Sequence, residues 1–90
     1  MILVVDPGDT TGYALFYDDG ELYEKGQADF NKMLEMLSNV IHIERIVVED
    51  YRLRGGKQAQ QTGSRFQAVQ VIGALKYHAF LHDVQFELAT

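Results

Sequence analysis

Two carboxylates, each following an apolar segment, are the residues in this sequence best suited to chemistry. Asp6 follows the run 2–5, and Glu49 follows the segment 43–48, which is rich in Ile and Val. Such β-branched runs are typical of strands buried on both faces. If the two strands lie side by side and run parallel, the carboxylates emerge together at one end of the sheet. An ionised carboxylate there needs a partner, and either a divalent cation or a ring of loop N–H groups would serve.

The chemistry open to such a pair is metal-dependent hydrolysis. Two close carboxylates repel, and the pKa of one rises unless a cation lies between them. Hard oxygen ligands suit Mg²⁺ or Mn²⁺, and two-metal sites assist phosphodiester hydrolysis. Such sites usually use more than two carboxylates, and the weaker candidates are Asp9, Asp50, Asp83 and Glu87. Taken singly, Asp6 is also consistent with a turn starter, and Glu49 with a solvated strand end.

Charge is distributed unevenly along the chain. The formal net charge of −5 argues against nucleic acid, but residues 51–82 carry five basic side chains and no acidic one. A basic loop directly after Glu49 could hold phosphates without reading bases. The predicted DNA-binding residues are Arg52, Arg54, Lys57, Gln61, Ser64 and Arg65. The alternative is an ordinary solvated connection with a basic surface.

The elements that must position these residues follow from periodicity and turn signals. Strands are predicted over 2–6, 12–17, 21–27, 43–48 and 84–88, and helices over 30–42 and from Thr62 or Ser64 to about His82. Asp29 is the predicted N-cap of the first helix. The order β-β-β-α-β-α-β predicts an α/β fold, a mixed sheet with helices packed on its faces. The first and fourth strands are expected to be central and adjacent, and the third to lie at an edge.

Composition limits the remaining classes. Ninety residues predict one domain, 1–90, and the absence of cysteine excludes disulfides and thiolate zinc sites. No run approaches the ~20 apolar residues of a membrane span, and no signal peptide is recognisable. A soluble, cytoplasmic protein without a membrane partner is therefore expected. His78 and His82 have the i, i+4 spacing of metal ligands, but no third ligand is evident in the sequence.

Two stretches together resemble a known family. Residues 6–14, DPGDTTGYA, and residues 47–53, VVEDYRL, are similar to the RuvC-like Holliday junction resolvases of the RNase H-like superfamily. The stretches 58–61, QAQQ, and 71–77, VIGALKY, are most similar to its phage-encoded branch. The resemblance spans nearly the whole sequence, and its specificity comes from the ordered set of motifs rather than from the first motif alone.

The resemblance implies a homodimeric endonuclease that depends on Mg²⁺ or Mn²⁺ and cuts branched DNA during recombination. It implies Asp6 and Glu49 as catalytic metal ligands, a dimer contact through the helix 66–80, and a cytoplasmic location, that of the host if the protein is phage-encoded. The family draws further catalytic acids from a helix after the fifth strand, and no residue up to Thr90 matches them. The sequence is thus consistent with a C-terminally truncated form, a fragment or a degenerate member of the family. If that helix is absent, weak metal binding and little or no cleavage are expected.

Two other classes remain open from the sequence. Asp6, Gly8 and Thr10 fit the Asp-x-Gly-x-Thr loop with which actin-like ATPases cradle phosphates, although that interpretation gives no role to Glu49. A non-catalytic DNA-binding or interaction module of the same fold is the other. Thr10 is assigned to the turn, whereas Thr11 could bond the turn backbone or face a phosphate. Tyr13 and Tyr51 are expected to pack rather than to stack on bases.

Overall fold

A mixed sheet with two helices packed on it makes up the fold. The computed structural model describes residues 1–7, 10–39, 42–49 and 62–89. Along the chain the elements are β1 (Ile2–Asp6), β2 (Thr11–Phe16), β3 (Leu22–Ala28), α1 (Phe30–Asn39), β4 (Arg45–Glu49), α2 (Thr62–His82) and β5 (Gln85–Ala89). The predicted α/β class is confirmed. β1 has the predicted bounds, and the bounds of the other four strands differ from the predicted ones by one or two residues.

The order of strands across the sheet places β1 and β4 at its centre. The five strands lie in the order β3-β2-β1-β4-β5. β1 pairs antiparallel with β2 and parallel with β4, β2 pairs antiparallel with β3, and β4 pairs parallel with β5. The predictions that the first and fourth strands are adjacent, and that the third is an edge strand antiparallel to the second, are confirmed.

Local signals for turns and caps act where they were predicted. Gly20 adopts a φ of 93°, a conformation that glycine reaches without steric cost, in the turn between β2 and β3. Asp19 Oδ1 accepts a hydrogen bond from Glu21 N at 2.9 Å in the same turn. Asp29 Oδ1 accepts one from Lys32 N at 2.8 Å, which confirms Asp29 as the N-cap of α1. The helix is described to Asn39. Of the predicted positions beyond it, 40 and 41 lie outside the described residues and His42 is not helical, so the predicted end at 42 is wrong.

The core lies on one face of the sheet. Its buried members come from β1, β2, β3, β4 and both helices, and they are Leu3, Val5, Leu15, Ala28, Met33, Ile46, Val48, Val71, Leu75 and Ala79. Because side chains alternate along a strand, these strand residues share one face. Both helices therefore pack on that face instead of being divided between the two. The sequence predicts an apolar stripe on this helix, made of Ala68, Val71, Ile72, Leu75 and Ala79. Four of these residues are buried in α2, and Ile72 is half-buried against the core.

The opposite face of the sheet is open across its central strands in the part of the chain that the structure describes. Val4 of β1 is 36% exposed, and Val47 of β4 is half-buried. The expectation that β1 is buried on both faces is therefore wrong. Val and Ile are favoured in strands because their branched side chains fit the pleat. A run of them consequently does not reveal whether the second face is covered.

Neither described helix can cross a membrane. α2 has 21 residues, but it is not apolar enough, and α1 is shorter still.

Candidate active site

The carboxyl ends of β1 and β4 bring Asp6 and Glu49 together. The parallel register pairs Val5 with Val48, and the two carboxylates are the next residue on each strand. Val5 and Val48 are fully buried against the helices. Strand alternation therefore places Asp6 and Glu49 on the open face, where both are exposed. Two residues separated in sequence by β2, β3 and α1 thus become neighbours at one end of the sheet.

The two carboxyl groups interact directly. The pKa of Glu49 is raised above its usual value, first because its carboxyl group hydrogen-bonds to that of Asp6. Repulsion by the negative charge of Asp6 raises it further, and desolvation adds to the shift. Glu49 therefore keeps its proton to a higher pH than an isolated glutamate would, because two adjacent negative charges repel. A divalent cation held between the carboxylates would relieve the same repulsion.

The space around Asp6 is left open by a glycine. Gly12 is the antiparallel partner of Asp6 in β2, and a Cβ built on Gly12 would lie 3.9 Å from Cβ of Asp6. That separation is an ordinary van der Waals contact, so a methyl group would fit but would narrow the approach to the carboxylate. Val4 and its neighbour Val47 lie below the pair on the same face. The carboxylates thus stand at the rim of an apolar surface.

Further carboxylates do not join the pair in the part of the chain that the structure describes. Glu87 of β5 lies on the same face but is held in an ion pair by Arg45. Asp83 precedes β5, at the opposite end of the sheet. Among the described residues, no three His, Asp or Glu side chains are grouped closely enough to hold one ion. The other two candidates, Asp9 and Asp50, lie outside the described residues.

The predicted DNA-binding residues fall largely outside the described chain. Arg52, Arg54, Lys57 and Gln61 belong to 50–61, and of the side chains of Ser64 and Arg65 nothing is described. The backbone of α2 begins at Thr62. Because α2 connects two parallel neighbours, β4 and β5, its first turn lies at the end of the sheet that carries the carboxylates.

Three hydroxyl-bearing residues, Thr10, Thr11 and Tyr13, lie near the first turn, and they differ in exposure and contacts. Thr11 is 2% exposed, on the helix side of β2, so its hydroxyl does not face solvent. Thr10 is exposed. Tyr13 packs against the core and donates a hydrogen bond from its hydroxyl to Glu24 Oε2 at 2.7 Å. Packing by Tyr13 is confirmed, whereas Tyr51 lies outside the described residues.

One cluster was not predicted from the sequence. His42 lines the same cavity as His78 and His82, at the end of the molecule opposite the carboxylate pair. The spacing of His78 and His82 is visible in the sequence, but nothing in the sequence connects His42 to them. Their proximity depends on how α1 and α2 pack.

Removing the charge of Glu49 is expected to stabilise the metal-free fold near neutral pH. The pKa of Glu49 is raised in the folded chain, so its proton stabilises the fold at pH values below the unfolded pKa. That stabilisation is lost as the pH rises through the folded pKa, and both carboxylates are then charged and repel. Glu49→Gln should therefore raise the melting temperature at about pH 7, and the gain should vanish below about pH 4.

The control for this measurement is Glu87→Gln, which removes a carboxylate that Arg45 already neutralises. That variant should not be stabilised at neutral pH. An equal rise in the melting temperatures of both variants would mean that general relief of the negative net charge, and not the contact with Asp6, is responsible.

Comparisons with known proteins identify no family for this chain. A scan against protein-family models finds no match, and searches of curated proteins and of solved structures find no significant similarity.

Proposed function

We propose that this chain is a RuvC-like domain of the RNase H-like type that hydrolyses phosphodiester bonds in branched DNA with Mg²⁺ or Mn²⁺. The observation that carries the proposal is the meeting of Asp6 and Glu49 at the ends of two parallel central strands. The resemblance of residues 6–14 and 47–53 to that family selects these same two side chains as ligands. Sequence motif and spatial arrangement thus point to one site.

The donor set fits a hard divalent cation. Asp6 and Glu49 offer carboxylate oxygens, which Mg²⁺ and Mn²⁺ prefer as ligands. Both side chains are exposed, so a bound ion could keep several water ligands, as Mg²⁺ usually does. When bound, the cation supplies Lewis-acid chemistry for attack by water on a phosphodiester. The two side chains would hold the ion at one position, and the charge of the ion would offset the repulsion between them.

The attachment of the basic segment supports a nucleic-acid substrate. Glu49 ends β4, and the segment 50–61 connects it to the start of α2. That segment contains Arg52, Arg54 and Lys57, so three cations are tethered within eight residues of the carboxylate pair. Phosphates attracted by these cations would be delivered to the end of the sheet where the carboxylates lie. The same arrangement predicts binding that weakens as salt concentration rises.

The test is cleavage of a four-way DNA junction by the full chain, compared with linear duplex of the same sequence. Cleavage should require Mn²⁺ or Mg²⁺ and should stop when a chelator removes these cations. The junction should be cleaved faster than the linear duplex. Broadening of the Asp6 and Glu49 resonances by substoichiometric Mn²⁺ reports on the metal site independently of turnover. Dimerisation, also proposed from the resemblance, is measured by sedimentation in the same buffer.

The other outcomes separate the competing classes. Salt-dependent junction binding with no cleavage in either metal would overturn the nuclease proposal in favour of a non-catalytic DNA-binding module. Binding of ATP without affinity for junctions would favour the actin-like class. Mn²⁺ broadening that avoids residues 6 and 49 would remove the metal site on which the proposal depends.

A further inference from the structure

A cavity between the two helices has no part in the proposed chemistry. It has a volume of about 750 Å³ and opens between the second half of α1 and the last turns of α2. Leu37 and Leu81 contribute apolar walls, and His42, His78 and His82 contribute imidazole side chains to the lining. These three are all the histidines of the sequence. Their convergence on one cavity is the feature that calls for an explanation.

His78 and His82 are already in contact. They lie one turn apart on α2, and their ring centroids are separated by 4.4 Å with an interplanar angle of 37°. Zn–N bonds are about 2.0–2.1 Å long, so two nitrogens on one tetrahedral ion lie about 3.3 Å apart. Ring nitrogens of two imidazoles at the observed separation can reach that distance by small rotations. His82 is exposed and free of the core, so it can rotate without disturbing the fold.

From this geometry we propose that His78 and His82 form a two-histidine binding site for a divalent transition-metal cation of the Zn²⁺ or Cu²⁺ class. Imidazole nitrogen is a preferred ligand of these borderline ions and a poor one for Mg²⁺. Solvent completes the coordination shell, because no three such ligands are grouped closely enough among the described residues. The site is therefore chemically distinct from the carboxylate pair, and each should select a different class of ion.

The surroundings favour the ligating form of the imidazole. Burial lowers the pKa of His78, and the neighbouring His82 lowers it further. A neutral imidazole is the form that binds metal. His42 lines the same cavity from the residues that precede β4, but the three histidines are not grouped closely enough to share one ion.

The test is calorimetric titration of Zn²⁺ into the full chain carrying no histidine tag. Asp6→Asn/Glu49→Gln serves as the background, so that the carboxylate pair cannot contribute ligands. One Zn²⁺ per chain should bind, and excess Mg²⁺ should not displace it. Loss of a residue that hydrogen-bonds to a metal ligand lowers metal affinity by about 10–100-fold. His82→Ala removes a ligand itself, so it should weaken Zn²⁺ binding by about tenfold or more. The imidazole ¹⁵N resonances of His78 and His82 should shift together on saturation.

Two further variants make the outcome decisive. His42→Ala, which leaves the pair intact, should keep Zn²⁺ affinity within about twofold of the background, a change smaller than any ligand loss produces. His78→Gln should repeat the loss seen with His82→Ala, and circular dichroism establishes that both remain folded. Absence of Zn²⁺ binding, or equal affinity in His82→Ala and the background, would overturn the two-histidine site. A loss in His42→Ala equal to that in His82→Ala would also overturn it.

Discussion

Asp6→Asn and Glu49→Gln should each lower metal-dependent junction cleavage by about 100-fold or more. Removing a residue that only hydrogen-bonds to a metal ligand already lowers activity by about 10–100-fold, and these substitutions remove a proposed ligand itself. Each substitution preserves the size of the side chain but leaves one carboxylate where the proposed metal site has two. Because the two carboxyl groups interact directly, the double variant should be little worse than either single variant. Initial rates in Mn²⁺ on a labelled four-way junction provide the measurement.

Glu87→Gln is the matched control for this experiment. Glu87 is a carboxylate on the same face of the sheet, but it is paired with Arg45 and stands two residues before Ala89, the partner of Glu49. Its loss should leave the cleavage rate within about twofold of the unsubstituted chain, as expected of a surface ion pair. Comparable rates in Glu49→Gln and Glu87→Gln would exclude the carboxylate pair as the metal site.

Leu75→Ala should give the largest loss of stability among single substitutions in α2. Leu75 is fully buried at the centre of the helix, in the core that α2 shares with β4. Replacing a buried Leu by Ala costs about 2–5 kcal/mol, which is a large fraction of the stability of a domain of this size. The melting temperature should fall by about 10 °C or more, measured by circular dichroism without divalent cations.

Leu81→Ala makes the same chemical change on the same helix at an exposed position. Leu81 is 56% exposed, so the substitution removes little buried surface and should change stability by about 0.5 kcal/mol or less. Alanine has a higher helix propensity than leucine, so propensity cannot account for a loss in either variant. Equal destabilisation by the two variants would contradict the conclusion that Leu75 stabilises the fold by packing on the sheet.

Local chemistry accounts for most of what the sequence predicts correctly. Asp29 caps α1, Gly20 supports the β2–β3 turn, and the stripe on α2 is buried, because each of these depends on residues within a few positions. The adjacency of Asp6 and Glu49 is non-local, but it was predictable for a different reason. Their strands are the most apolar, and the crossover through α1 requires them to run parallel if they are neighbours.

The features that the sequence does not reveal depend on how layers are arranged. Val4 occupies an apolar run identical in character to that of a doubly buried strand, yet it is exposed because α1 and α2 share one face. That His42 lines the same cavity as His78 and His82 depends on how α1 and α2 pack together, which periodicity along one chain does not encode. Both depend on contacts between elements that have no local signature.

The pairing of β1 with β4 determines when, during folding, Asp6 and Glu49 come together. The antiparallel meander of β1, β2 and β3 joins neighbours in sequence, and such hairpins form within microseconds. Joining β4 to β1 closes a long loop, so it belongs to the slow, late part of folding. Partly folded molecules would carry Asp6 without Glu49 beside it. An ion that requires both carboxylates would bind only to chains in which β4 has paired with β1, and its binding would stabilise those chains.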